Sequence, residues 1–357
     1  MRFFKNLIAI ITALTLSLGV WGCANKTKSL VFTAFNSQVT VCVYSKPISE
    51  QTQKRIKACA NEIENRFNVS IESSLVSKIN SASVGQAVNL TDDEYEVLVT
   101  AKTAHQLSSG KFDPTVYPLV NLWKFAPYEY ILNYQPPLPE QIQAELVKVD
   151  FDSITVTQQK TAIKTNENAK IDLGGIVKGF AADKIAKILK ESGHNDGYVS
   201  VGSSSLNLLS VKNLGIRHPR STSKTLLTVN FNGHKDLSVS TSGDYEKFHL
   251  STDGQKYCHI IDPETGYPAN TGIASATLLG VDGALSDALT TALCLTEYAP
   301  NSTESPLTQL ASRILNDYPN AWIFIVYEND GQKILLTNRT PAIDFTLHDS
   351  EYTIKNI

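Results

Sequence analysis

Three stretches of this sequence carry residue types that could do chemistry together. In Ile171-Asp172-Leu173-Gly174-Gly175-Ile176-Val177-Lys178-Gly179-Phe180, an extended run ends in an acid, two glycines turn the chain, and a helix starts with a lysine in its first turn. Glycines admit close backbone approach, helix N-terminal N–H groups favour anions, and Lys178 adds a point charge, so the segment is a candidate phosphate or metal cradle. It has the spacing of neither G-x-G-x-x-G nor a Walker A loop, and a tight turn capped by Asp172 satisfies the same pattern. The second stretch is Ser240-Thr241-Ser242-Gly243-Asp244-Tyr245, followed after one hairpin by His259 to Pro268. There, hydroxyls, Asp244 and His259 could meet as an acid/base cluster, although Asp, Pro and Gly are also ordinary turn residues. The third is Ala284 to Thr291, where Asp287 and Thr291 stand four apart. On a helix their oxygens share one face and could hold a hard cation such as Mg²⁺, while an acid in a first helical turn also simply complements the dipole.

The elements that must position these groups are readable from periodicity. Val39–Tyr44 predicts a strand and Glu50–Asn65 a helix; Thr91 with Glu94 forms a capping-box pattern that opens a second helix ending at Ser108-Ser109-Gly110. Pro136-Pro137-Leu138-Pro139 punctuates the chain. Beyond it, Ser153–Val156, Ala169–Ile171, Tyr198–Val201, Leu226–Phe231, Leu237–Ser240 and Ile273–Leu279 predict strands, with Asn232-Gly233, Asp253-Gly254 and Asp330-Gly331 as hairpin turns. Helices are expected over Ile176–Ser192, stopped by Gly193, and Ala284–Leu295. Runs of strands and hairpins without strict βαβ alternation predict an α+β fold, and no fixed-period repeat is present.

Composition narrows the function. The 357 residues hold 32 Lys+Arg and 35 Asp+Glu, a net charge of −3, and 42% hydrophobic residues, so the chain is globular. Without a basic block it lacks the electrostatic footprint of nucleic-acid binding. The amino end follows a signal-peptide plan: Arg2 and Lys5, an uncharged apolar run Leu7–Val20, then Gly22-Cys23 and a polar stretch. That run is short of the roughly 20 residues of a membrane-spanning helix. Gly22 before Cys23, with Val20 three positions upstream of the Cys, resembles a bacterial lipobox, so residues 1–22 are expected to be cleaved and Cys23 lipidated, with 23–30 as a tether; ordinary secretion and an uncleaved anchor are the alternatives. Cys42, Cys59, Cys258 and Cys294 then remain, without zinc-type spacing, as either paired or buried free thiols.

The order and content of five segments resemble the ApbE-type FAD:protein FMN transferases: Lys111-Phe112-Asp113-Pro114-Thr115 through Trp123, Asp172–Phe180, Ser240–Tyr245, His259–Pro268 and Ser286–Thr291. The resemblance implies an ApbE-like (T-fold-like) α+β domain over 31–357, with a subdivision near 135–150. It implies transfer of FMN from FAD to a Thr or Ser hydroxyl of an exported flavoprotein, in a Ser/Thr-Gly-Ala-Ser/Thr motif, with AMP released. Hydrolysis of FAD to FMN and AMP, or flavin binding without turnover, are the alternatives.

By the same resemblance, Mg²⁺ would be held by Asp287, Thr291 and backbone oxygens at Gly175 and Ala284. FAD would contact Phe35, Lys111, Phe112, Asp113, Asp172, Lys178 and the segment at Ile261, and His259 or Asp244 would activate the acceptor hydroxyl. A membrane-anchored, extracytoplasmic lipoprotein fits this family. The sequence departs from it at Ser203-Ser204-Ser205, where a second Gly after Gly202 is usual, at Phe35-Asn36-Ser37 in place of a Met-Gly-Thr-like segment, and around Ser70.

Overall fold

In the computed structural model, which describes residues 28–126, 128–302, 304–338 and 343–357, nine strands join into one sheet. Across the sheet they run Lys28–Ala34, Ser37–Val43, Gly197–Val201, Ser205–Ser210, Leu237–Gly243, Ile273–Leu279, Trp322–Asn329, Gln332–Thr337 and Thr353–Asn356. All neighbours are antiparallel except the last pair. Central strands are buried on both faces: every residue of Ile273–Leu279 is buried, as its uninterrupted apolar and small-residue run requires.

One face is covered by the helices Glu50–Phe67, Asp92–Leu107, Val177–Glu191 and Gly283–Cys294, which close the largest core. The helix Gly283–Cys294 is buried at all but one of its positions, because it lies between the sheet and two other helices. The opposite face carries a three-stranded sheet of Asn213–Arg217, Thr225–Asn230 and Asp344–Leu347 over a second core around Phe231, Trp322 and Phe324. A third, small core of Leu119, Trp123, Phe125, Tyr134, Ile142 and Ile261 supports the loop after His259, where the Trp123 indole donates to the Gly266 carbonyl at 2.8 Å.

Most sequence expectations meet their elements within a residue or two. The capping box at Thr91 is formed in both directions, the helix at 177–191 ends before Gly193 at φ +77°, and Asp330-Gly331 turns a two-residue hairpin. Two expectations need correction. Ala169–Ile171 is not a strand: the Ile171 backbone pairs with a side chain, donating to Asn80 Oδ1 (2.7 Å) and accepting from Asn80 Nδ2 (3.0 Å). Asn232-Gly233 turns the chain but makes no hairpin, since the strands on either side belong to different sheets. The helix Pro306–Asp317, with Ser305 as its cap, has no counterpart in the sequence expectations. Cys42, Cys59, Cys258 and Cys294 are free thiols, and burial pushes each thiol up. Cys23 and the leader lie outside the described residues.

Candidate active site

The helix Gly283–Cys294 carries Asp287 into the interior, where its side chain is 4% exposed. A buried carboxylate is costly unless donors compensate it. Here both oxygens have donors, and both donors are uncharged: Ser205 Oγ donates to Oδ1 at 3.0 Å and the Gly179 N–H to Oδ2 at 3.1 Å. The second contact depends on a glycine crossing of two helices. A Cβ on Gly179 would stand 1.8 Å from the Gly283 carbonyl oxygen, so only glycine lets the backbone N–H come this close. Burial raises the Asp287 carboxyl above its usual range, against the pull of the Lys178 charge, the Gly179 N–H and the Ser205 hydroxyl.

Thr291, one turn on, donates to the Asp287 carbonyl at 3.3 Å and lies 3.3 Å from Ser242 Oγ. Gly175 is brought to the same place: a Cβ there would meet the Phe112 ring at 3.3 Å and Thr291 Oγ1 at 3.9 Å. Among the described residues no three His, Cys, Asp or Glu side chains converge, so a cation would rely on one carboxylate with hydroxyl and carbonyl oxygens. That oxygen-only set suits a hard divalent ion. Ser240 Oγ, on the same sheet face between Ser205 and Ser242, is fully buried without a partner, which leaves unspent hydrogen-bonding capacity beside this carboxylate.

Cations gather at the open side. The Lys178 ammonium donates to Ser204 Oγ at 2.8 Å. Lys247, which no sequence pattern singled out, lies with its ammonium 5.6 Å from the Tyr128 ring centroid, and burial with the Lys178 charge lowers its pKa. Its carbonyl accepts from the His259 N–H (3.0 Å) and lies 3.2 Å from His259 Nδ1. That contact requires the proton on Nδ1, so Nε2 keeps its lone pair. Burial, Lys247 and Lys178 together push His259 down to about 3, which makes it neutral at pH 7. Asp172 faces Lys247 while accepting from the Gly174 N–H at 2.8 Å, and its own N–H donates to the Pro114 carbonyl, which ties the Lys111–Thr115 loop to the glycine turn. The tip of the first hairpin, Phe35-Asn36, has φ of +56° and +50°, the geometry of a two-residue type I′ turn. It leads to Ser37, beside Gly202, where an added Cβ would meet Ser37 Oγ at 3.0 Å and the Lys178 stem at 3.6 Å.

Other candidate residues have different work. Asp244 is an ion-pair member, 2.7 Å from Arg220 and 3.1 Å from Lys256, so it is no free base, and it does not pair with His259. Asp113 is buried and turned inward, accepting from the Thr115 N–H (2.7 Å) and hydroxyl and the Phe151 N–H (3.4 Å); it shapes the loop that a flavin contact would need it to leave. Lys111 is held by Glu264 (2.8 Å) and Asp262 (3.3 Å) at the edge of a cleft of about 620 Å³ that reaches Leu295, one turn past Thr291. Ala284 packs at the glycine crossing, its N–H nitrogen 3.0 Å from where a Gly179 Cβ would stand. It stands three residues before Asp287 on the same helix, one turn away on the same face. Ile261 is buried in the small core and bridges to Pro268. Besides Lys247, the sequence reading missed Ser204 and Ser205 as partners of the site, although their departure from the usual glycine was the signal.

A carboxylate backed by hydroxyls, two lysines and a neutral imidazole can bind a diphosphate with a divalent cation and take a proton from an attacking hydroxyl. Comparison with known proteins agrees with such chemistry. Residues 35–304 match the model of the ApbE family. The FAD:protein FMN transferase of Haemophilus influenzae is 27% identical over 304 residues, covering 81% of this chain and 87% of the relative. That of Treponema pallidum is 31% identical over 240 residues, 61% of this chain and 64% of the relative. Among solved structures, the flavin transferase ApbE from Vibrio cholerae shares the fold with a TM-score of 0.73 at 22% identity, over 92% of this chain and 99% of that one. The ApbE protein of Thermotoga maritima gives a TM-score of 0.71 at 29% identity, over 85% of this chain and 94% of that one. With a family match spanning residues 35–304, this chain belongs to the ApbE family.

Proposed function

We propose that the protein transfers the FMN half of FAD to a Ser or Thr hydroxyl of an exported flavoprotein and releases AMP. The observation that carries this reading is the buried Asp287 carboxylate, held by uncharged donors within a site that also holds Lys178. Mg²⁺ held by Asp287, Thr291 and the Gly175 carbonyl would neutralise charge on the diphosphate. Lys178 and Lys247 bind and orient that diphosphate. The acceptor oxygen attacks the phosphorus on the FMN side, the new P–O bond forms as the bridge to AMP breaks, and the hydroxyl proton passes to His259 Nε2. An imidazole pushed to about 3 is a weak base in the free protein. The diphosphate, seated between the two lysines, offsets the part of that depression that comes from their charges and makes the imidazole a stronger base. The acceptor is a flavoprotein with a Ser/Thr-Gly-Ala-Ser/Thr segment, and the enzyme works outside the cytoplasm, tethered to the membrane through lipidated Cys23. The leaderless protein incubated with FAD, Mg²⁺ and such an acceptor should yield AMP together with an acceptor mass gain equal to FMN, and EDTA should stop both. AMP with an unmodified acceptor would make the enzyme an FAD pyrophosphatase, and no AMP would leave a flavin-binding protein.

A further inference from the structure

The serine turn Ser203-Ser204-Ser205 is placed between the two charged groups of the site. Gly202 and Ser204 are pinned by backbone bonds on both sides: the Gly202 N–H donates to the Gln38 carbonyl (2.9 Å), and the Ser204 carbonyl accepts from the Thr241 N–H (2.8 Å). Ser203 sits at φ +60°, the left-handed region where glycine is favoured, so the turn keeps its shape at some cost in strain. From this fixed base two consecutive side chains hold different partners. Ser204 Oγ accepts from the Lys178 ammonium at 2.8 Å, and Ser205 Oγ donates to Asp287 Oδ1 at 3.0 Å. The two hydroxyls are themselves 3.4 Å apart.

Lys178 and Asp287 are of opposite charge and are linked only through these two neighbouring hydroxyls, each bonded to a serine and not to the other. In a desolvated site two such charges would be expected to close into an ion pair. That pair would occupy both the carboxylate needed by a cation and the ammonium needed by a phosphate.

We propose that Ser204 and Ser205 act as a spacer: positioning residues that hold Lys178 and Asp287 apart, so that the carboxylate stays open to a divalent cation and the lysine to an anion. This inference rests on the assignment of Asp287 to cation binding, and the test separates the two. Mg²⁺ binding to the FAD-free, leaderless protein is measured by calorimetry for the wild type, for Ser204→Ala/Ser205→Ala, and for the same double variant with Lys178→Met added. The spacer predicts that the double variant weakens Mg²⁺ binding by about 10–100-fold, in the range seen when groups that orient a metal ligand are removed. It also predicts that Lys178→Met restores most of the loss, because the competing cation is gone. Ser205→Thr, which keeps the hydroxyl, should bind Mg²⁺ within a few-fold of wild type. Unchanged binding in the double variant, or a loss that Lys178→Met does not reverse, would overturn the spacer. Absence of Mg²⁺ binding in the wild type would overturn the cation assignment itself. Circular dichroism on each variant identifies any that fails to fold, and Ser205→Thr then still decides whether the hydroxyl matters.

Discussion

Two charged regions of this protein lie at the Leu237–Gly243 and Ile273–Leu279 strands, and they treat their charges in opposite ways. Around Arg220, every charge has a counter-charge. The guanidinium reaches Asp244 (2.7 Å) and Glu328 (2.5 Å), Lys256 takes the other Asp244 oxygen (3.1 Å), and the Tyr352 hydroxyl closes on Glu328. Around Asp287, the carboxylate and Lys178 each hold a serine, Lys247 lies by the Tyr128 ring with Asp172 nearby, and His259 is kept neutral by burial and two lysines. The first arrangement is complete as it stands and braces the fold. The second has charge left over on both sides, which is the condition of a site awaiting an anion and a cation together.

The comparison can be broken most severely at Asp287. Asp287→Ala should lose Mg²⁺-dependent AMP release by at least about 10³-fold, the factor that several kcal/mol of charge stabilisation represents, while circular dichroism remains native. Activity near wild type would remove Asp287 from the cation site. His259→Ala should slow transfer by roughly 10²-fold with FAD binding retained, as loss of a general base does, and an unchanged rate would exclude the imidazole.

Lys247→Met should weaken FAD binding and raise the His259 pKa, which a histidine NMR titration reads directly. The sign follows from the depressed value. The folded chain binds fewer protons at His259 than the unfolded chain, so this residue costs stability as pH falls from about 6.5 towards 3. Lys247→Met should therefore flatten the acid limb of a Tm-against-pH profile, and an unaltered limb would mean that the lysine does not act on His259. The smallest effect belongs to the paired region: Arg220→Met, at a side chain 40% exposed, should cost about 1 kcal/mol in denaturant stability and leave kcat intact.

Local signals were legible in the sequence where one short segment decides the outcome. Thr91 with Glu94, Gly193 after its helix and Asp330-Gly331 each specify their element through contacts a few residues apart. The Asp287–Thr291 spacing likewise puts both on one helical face. What escaped depends on distant partners. Ala169–Ile171 has strand-like residues but is paired by Asn80, some ninety positions earlier. Asp244 follows a motif rich in hydroxyls, and only the fold delivers Arg220 to it. Lys247 gains its meaning from Lys178 and His259, which arrive from other elements. Asp113 lies in one of the segments on which the family resemblance was read, yet its oxygens cap their own turn.

The most direct test sets the two carboxylates against each other. AMP release from FAD is followed across a Mg²⁺ titration for the wild type, Asp287→Asn and Asp244→Asn. The account predicts that Asp287→Asn abolishes the Mg²⁺-dependent rate and that Asp244→Asn keeps it within about twofold, since a bracing ion pair contributes little to chemistry. Loss of the rate in Asp244→Asn with Asp287→Asn still active would contradict it.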